Sequence, residues 1–295
     1  MNVLITGASG FIGRAIIKKF KNTNHKILAI SRKKKISKNN ITWLKADISK
    51  IKQHYIELKK FDLDVLIFFS WDQIPNFSKK ISNLNFLNSK KFIEFILKNT
   101  NCKKIIVSGS CFEYSRNTGI CIENEKCVPS NHFTLAKLNL LKWIDSNCKK
   151  FNIKYAWFRI FYAYGPYQRK ESIIPYLINK YKKNKIPLIK NPYASLDFIH
   201  VDDISKYVLA SIDINFRSGI YNLGSGKSTK IINIYKIIKD NYPRNKSFYN
   251  ELKKNHEMNY KKIDFIADLN KTKKTFRIKN KISLKQGIKK LINEI

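Results

Sequence analysis

Acidic side chains are scarce in this chain. Its 295 residues hold 21 Asp and Glu against 58 Lys and Arg, a formal net charge of +37 at pH 7. A surface this basic raises nucleic acid or anionic membrane as partners, yet the lysines are spread through nearly every helical stretch, with an excess of Asn, Ile, Phe and Tyr. That pattern reads as a compositional bias of the source. Runs such as Arg32-Lys33-Lys34-Lys35 are therefore read first as solvated faces, second as contacts to a phosphate-bearing small ligand, and last as nucleic-acid contacts. Cysteine is also sparse: Cys102, Cys111, Cys121, Cys127 and Cys148 form no C-x-x-C pair and no zinc spacing, and the odd count argues against a disulfide framework. No metal is expected, and a reducing cytoplasm fits. No run approaches the roughly 18 apolar residues of a membrane span, and Met1 leads straight into a strand without a charged and apolar leader, so neither export nor anchoring is expected.

Glycines number only ten, and three of them, Gly7, Gly10 and Gly13, stand in the opening segment Val3-Leu4-Ile5-Thr6-Gly7-Ala8-Ser9-Gly10-Phe11-Ile12-Gly13. An apolar strand runs into a loop that opens an amphipathic helix over Phe11 to Phe20. In this context Gly7 permits a sharp turn, Gly10 a close approach of backbone to a pyrophosphate, and Gly13 tight helix–strand packing, while the helix N-terminus offers free N–H groups. Ser9, Gly10, Phe11 and Ile12 then lie along a dinucleotide.

Lys26 to Ile30 reads as a second strand ending in Ser31-Arg32, where an acid would accept hydrogen bonds from a ribose 2′-hydroxyl. A hydroxyl followed by basic side chains suits a 2′-phosphate instead, so NADP(H) is the expected cofactor. A third strand ends at Asp47, which with Ile48 faces the adenine. The unbroken apolar run Asp64 to Phe69 predicts a buried parallel strand, with Phe69, Ser70 and Trp71 at its end beside the cofactor. A helical pattern follows through residues 86–97, then a fifth strand at Lys104 to Val107. Gly224-Ser225-Gly226-Lys227-Ser228 is not a Walker-type loop, because Tyr221 occupies the place of its first glycine.

Ser108-Gly109-Ser110-Cys111-Phe112-Glu113-Tyr114, followed by Phe133-Thr134-Leu135-Ala136-Lys137 opening a helix, resembles the extended short-chain dehydrogenase/reductase family, the NAD-dependent epimerase/dehydratase group acting on nucleotide sugars. Further matches run along the chain: Arg159-Ile160-Phe161-Tyr162-Ala163-Tyr164-Gly165-Pro166, Asp197-Phe198-Ile199-His200-Val201-Asp202-Asp203, and Ala267-Asp268. The resemblance implies an α/β fold with a Rossmann-type doubly wound parallel sheet and a smaller, mixed α/β C-terminal substrate domain. It places the nucleotide domain at residues 1–165, with later strands from about 196–223 and 262–268 joining it, and a nucleotide-sugar region mainly in 166–295. It assigns catalysis to Ser110, position 133 and Lys137, which also holds the nicotinamide ribose. Phe161 lies near the nicotinamide, and Ser110, Cys111, Phe112, Tyr162 and Ile174 near the substrate. It also implies a homodimer through the helix carrying Lys137 and that around residues 85–98, and structural roles for His200, Asp202 and Asp203. Arg159 is as readily a buried structural arginine as a functional one.

Three departures matter. The family tyrosine is Phe133, the family Arg before Asp197 is Leu196, and the family Asn at 162 is Tyr162. Phenylalanine cannot exchange a proton, and losing a positioned acid or base costs on the order of 10²–10⁴ in rate, so good binding with poor turnover is expected. A tyrosine replaced to trap a substrate complex, a degenerate enzyme and another proton donor (Tyr114, Tyr162 or Tyr164) all meet this pattern; the otherwise intact site favours the first. Dehydration is disfavoured, because Cys111 and Phe112 stand where dehydratases carry Asp-Glu. Cys111 is also out of register for an epimerising base. The remaining reactions are NADPH-dependent reduction of a dTDP-, CDP- or GDP-linked 4-keto-6-deoxy sugar, of the kind used for O-antigen or capsule, and C4 epimerisation with bound NAD. A catalytically silent binding protein is the third reading.

Overall fold

The computed structural model describes residues 1–242, 248–254, 260–280 and 282–294. In chain order its strands are β1 (Asn2–Thr6), β2 (Lys26–Ser31), β3 (Ile41–Lys45), β4 (Val65–Phe68), β5 (Lys104–Ser110), β6 (Thr118–Cys121), β7 (Lys154–Ile160), β8 (Tyr162–Tyr164), β9 (Ser195–His200), β10 (Gly219–Leu223), β11 (Ser228–Lys230) and β12 (Asp264–Ala267). The α-helices are α1 (Phe11–Phe20), α2 (Tyr55–Phe61), α3 (Lys79–Asn99), α4 (His132–Lys150), α5 (Ile173–Lys182), α6 (Val201–Asp213), α7 (Ile231–Asn241), α8 (Tyr249–Lys254), α9 (Asn270–Phe276) and α10 (Leu284–Glu294).

Seven parallel strands in the order β10-β7-β5-β4-β1-β2-β3 form the main sheet. Alternate residues of each strand point to opposite faces, and here both faces are covered. Val3, Ile5, Ile67 and Phe158 join one core with Ile16 of α1 and Ile204 of α6, while Leu4, Leu66 and Trp157 join another with Phe92 of α3 and Leu140 of α4. That is why the strands read as unbroken apolar runs. The chain winds outward one way through β2 and β3 and the other way through β4, β5, β7 and β10, so the order reverses between β1 and β4. At such a switch point the strand ends diverge and leave a crevice for a ligand.

A second sheet runs β11-β9-β12-β6, with β8 pairing β9. Helices α5, α7 and α10 pack on it through Leu177, Ile234 and Leu291. Fully buried Asp197 in β9 ties this lobe together: its carboxylate accepts from the N–H groups of Ser225 (2.6 Å), Gly226 (3.0 Å) and Ala267 (3.0 Å).

Two boundary expectations need correction. Among the later strands expected in the nucleotide domain, β10 joins the main sheet, whereas β9 and β12 belong to the second. The second sheet also recruits β6 from the N-terminal half, in register with β12 at Asp264↔Thr118. The short segment Thr118–Cys121 has no strand signature of its own and is extended because a partner far along the chain pairs with it. Among the described residues no helix is long and apolar enough to cross a membrane, and no group of three His, Cys, Asp or Glu is placed to hold a metal.

Candidate active site

The glycine loop leaves β1 at the switch point. Gly7 has φ +67°, and a Cβ there would lie 2.5 Å from the Phe69 carbonyl oxygen; one on Gly13 would lie 2.0 Å from the Gly7 oxygen. Gly10 is the N-cap of α1 and supplies no side-chain cap, so the first N–H groups of that helix stay open to a ligand. A cradle closed to any side chain beneath an uncapped helix end fits the pyrophosphate of a dinucleotide. Arg14 donates to the Ser9 carbonyl (3.0 Å) and lies 4.6 Å from the centroid of the Tyr167 ring, linking this loop to the segment after β8.

At the β2 end, Ser31 is buried and its hydroxyl accepts from the Lys33 N–H. Arg32 is exposed, with Nη1 and Nη2 3.2 and 3.3 Å from the two carboxylate oxygens of Asp72. Asp47 caps the turn after β3, accepting from the N–H and hydroxyl of Ser49 at 2.8 and 2.7 Å. Burial opposes its charge, but the Ser49 hydrogen bonds and nearby Arg32 prevail and hold its pKa below the usual value. Ile48 packs under the sheet beside Ala46, with Trp71 against the same core. The Phe69 N–H donates to the Thr6 hydroxyl (3.2 Å).

Next to β4 in the sheet, β5 ends in Ser110. Its N–H donates to Glu113 Oε1 (2.7 Å) and its hydroxyl accepts from the Phe112 N–H (3.2 Å), a capping box that fixes the turn Cys111–Tyr114. Glu113 is fully buried and also accepts from Trp157 Nε1 (3.0 Å) and Arg159 Nε (2.9 Å). Arg159, 2 % exposed, lies 4.4 Å over the Tyr114 ring, and the Tyr114 hydroxyl donates to Asn222 Oδ1 (2.7 Å). Arg159 is thus a buried structural cation. Glu113 was missed as a determinant of the site because its partners come from β7, which no local pattern reveals.

Lys137 in α4 is 4 % exposed; its Nζ donates to the Ser108 carbonyl (2.8 Å) and sits 3.9 Å over the Trp71 ring. Burial pushes its pKa down to about 7, with Glu113 pulling the other way. Phe133, one helical turn earlier, is also 4 % exposed. It stacks on Phe77 (4.7 Å, 27°) and meets Trp71 edge-on (5.6 Å). Phe77 in turn meets Phe112, and Phe112 meets Tyr162, at 6.2 and 5.9 Å. Phe77 had no sequence signal, since it stands in a polar loop and reaches the site only because the chain crosses back over the strand ends.

Of the three tyrosines considered as substitute donors, Tyr114 is committed to Asn222, and Tyr164 donates to the Ser283 carbonyl (3.4 Å) beneath Gly287. Tyr162 makes no side-chain hydrogen bond among the described residues, and it lines a cavity of about 790 Å³ in the second lobe with Tyr176, Lys170, Lys180, Lys190 and Leu196. Ile174 is packed into the core of that lobe, while its neighbour Ile173 lines the cavity. Phe161 and Cys111 sit together in a small core with Tyr114. Burial raises the Cys111 thiol well above its usual pKa, which makes it a poor base. His200 caps α6 by accepting from the Asp202 N–H (3.1 Å), and Asp203 accepts from the Ile282 N–H (3.1 Å), so both serve the fold.

Comparison with known proteins adds three findings. The model of the NAD dependent epimerase/dehydratase family matches residues 3–224. The chain is 27 % identical to a putative UDP-glucose 4-epimerase of Methanocaldococcus jannaschii, covering 99 % of this chain and 97 % of that one, and 25 % identical to the dTDP-4-dehydro-6-deoxyglucose reductase of Escherichia coli, covering 80 % of each. Among solved structures, UDP-glucuronic acid 4-epimerase from Bacillus cereus in complex with NAD superposes with a TM-score of 0.82 at 20 % identity, covering 99 % of this chain and 96 % of that one.

Proposed function

The chain belongs to the NAD dependent epimerase/dehydratase family, and from that premise we propose that it reduces a nucleotide-linked 4-keto-6-deoxy sugar to the 4-hydroxy sugar with NADPH, for bacterial surface polysaccharide. That it is a nucleotide-sugar-modifying short-chain dehydrogenase/reductase follows from the family and the relatives it resembles. One observation carries the substrate class: the cavity lined by Lys170, Lys180 and Lys190, with Glu171 as its one carboxylate, includes Tyr162, whose ring lies 5.9 Å from that of Phe112, two residues after Ser110. A sugar nucleotide has this shape, with a diphosphate needing cations and a sugar reaching the reacting groups. Leu196 adds no charge to that wall, so the three lysines are the cations offered to the diphosphate there.

When bound, the nicotinamide supplies the hydride. The chain's own residues would hold and orient: the glycine cradle and the α1 N-terminus would take the pyrophosphate, Lys137 would hold the nicotinamide ribose, and the Ser110 hydroxyl would hydrogen-bond the sugar oxygen. Ser31 and Arg32, standing where β2 itself carries no acid, support NADPH and hence net reduction. Epimerisation with tightly held NAD is the second reading, favoured by the match to a putative epimerase along the whole chain and by the Arg32–Asp72 pair, which already occupies the arginine. Fluorescence titration separates the two: NADPH is expected to bind more tightly than NADH, with slow NADPH oxidation when dTDP-, CDP- or GDP-4-keto-6-deoxy sugars are offered. Equal affinities, with interconversion of UDP-sugars and no net cofactor consumption, support the epimerase instead.

The five cysteines are free, in keeping with work in the reducing cytoplasm. A homodimer is the proposed assembly. Helices α3 and α4 pack side by side and leave Leu84, Leu87 and Leu135 exposed, and a second copy of the same pair would cover them. Sedimentation should give a dimer that Leu87→Asp converts to monomer; a monomeric parent protein rules the arrangement out.

A further inference from the structure

The ion pair between Arg32 and Asp72 crosses the cofactor crevice. Arg32 directly follows β2 and Asp72 lies just beyond β4, the two strands that flank β1 in the sheet. A bond between these strand ends passes over the start of the glycine loop. Asp72 is firmly presented there. Its N–H donates to Asn85 Oδ1 (2.7 Å) and its carbonyl accepts from Asn85 Nδ2 (3.1 Å), and Asn85 is itself buried in α3. Both ends of the amide clamp the backbone of Asp72, so its carboxylate is held at the rim while Arg32 reaches across to it. Asp47, close enough for Arg32 to influence its charge, stands on the third side.

We propose that Asp72 is a specificity-determining residue for the dinucleotide: it competes for Arg32 with the ribose 2′-phosphate and so moderates the preference for NADP(H) over NAD(H). This rests on the reading of the crevice as a dinucleotide site. A 2′-phosphate carries about −1.5 to −2 charges at neutral pH and offers three acceptor oxygens, and a guanidinium binds such a group through its fork. To do so here Arg32 must leave or share Asp72, so the aspartate acts on the phosphate through the arginine it holds. NAD(H) makes no such demand and leaves the pair intact.

The test is a set of equilibrium titrations of the full chain with NADPH and with NADH, followed by nicotinamide fluorescence, for the parent protein, Asp72→Asn, Arg32→Gln and the double variant. Asn keeps the shape of Asp and its backbone clamp, and unchanged thermal midpoints check the fold. The pair is exposed, which limits its worth, so Asp72→Asn is expected to raise the ratio of NADPH to NADH affinity about two- to fivefold, and to leave it unchanged when Arg32 is already Gln. An unchanged ratio in Asp72→Asn overturns the inference. So does an equal rise with and without Arg32, because Asp72 then acts on the phosphate directly. A parent protein that prefers NADH removes the NADPH-reductase reading but not this one, which predicts the change in ratio whatever its starting value.

Discussion

Phe133→Tyr is expected to raise turnover by about 10²–10⁴-fold, the usual contribution of one positioned acid or base. Position 133 lies one turn before Lys137 on α4, so a phenol there shares a helix face with the lysine. The surroundings are already arranged for it. Lys137 is enclosed by Trp71 and held on the Ser108 carbonyl, and Ser110 is fixed at the neighbouring strand end by Glu113. What Phe133 lacks is only the oxygen. The aromatic packing of its ring against Phe77 and Trp71 leaves the tyrosine ring the same seat.

The pH dependence has a definite sign. Burial lowers the pKa of Lys137 to about 7, so the ammonium that assists a phenol is present below that pH and is lost above it. Reduction by the variant should therefore decline as pH rises from about 7. The measurement is NADPH oxidation with the panel of 4-keto-6-deoxy nucleotide sugars. No gain with any of them, while the nucleotide still binds, rules out a reductase held back by Phe133 alone and leaves the epimerase and the silent binding protein.

The second large effect is on stability. Glu113→Ala is expected to cost about 3–5 kcal/mol, as removal of one member of a buried ion pair does. Three donors converge on that carboxylate, from Ser110, Trp157 and Arg159, and neither it nor Arg159 has appreciable access to water. Deletion leaves a buried guanidinium without its counter-ion. The apolar alternative behaves differently: Glu113→Gln combined with Arg159→Met removes both charges and should recover much of the loss, since a buried pair gains little over well-packed neutral groups. Urea unfolding of the three proteins decides. A cost below about 1 kcal/mol for Glu113→Ala, the value of an exposed pair, means that water reaches the pair and that it does not organise the Ser110 turn.

Much of the fold was legible because its signals are local. The glycine spacing after β1, the apolar runs of β4 and β5, and the Ser31-Arg32 strand end each depend on a few neighbouring residues, and the central strands of the main sheet follow from them. The second sheet was not legible in the same way. Strand β6 pairs with β12, and a four-residue stretch has no pattern strong enough to announce a partner so distant in the chain. His200 and its neighbouring aspartates followed the family resemblance, and the structure gives them capping and anchoring bonds.

The site divides along the same line. The sequence by itself determined which chemical groups exist: glycines spaced as a pyrophosphate loop requires, the serine and lysine proposed for the sugar and ribose, and a phenylalanine where the family carries a proton donor. Only the tertiary structure decided which groups are engaged. It spends the hydroxyls of Tyr114 and Tyr164 on the fold, seats Phe133 against Phe77, closes Glu113 on Arg159, and brings Asp72 to Arg32. The physical reason is that residue identity sets what a group can donate, accept or bury. Its partner is set by where the backbone returns, and that depends on packing across the whole sheet. The glycine loop is the point where both meet: its spacing is visible in thirteen residues, while the carbonyl of Phe69 that forbids a side chain on Gly7 arrives from β4.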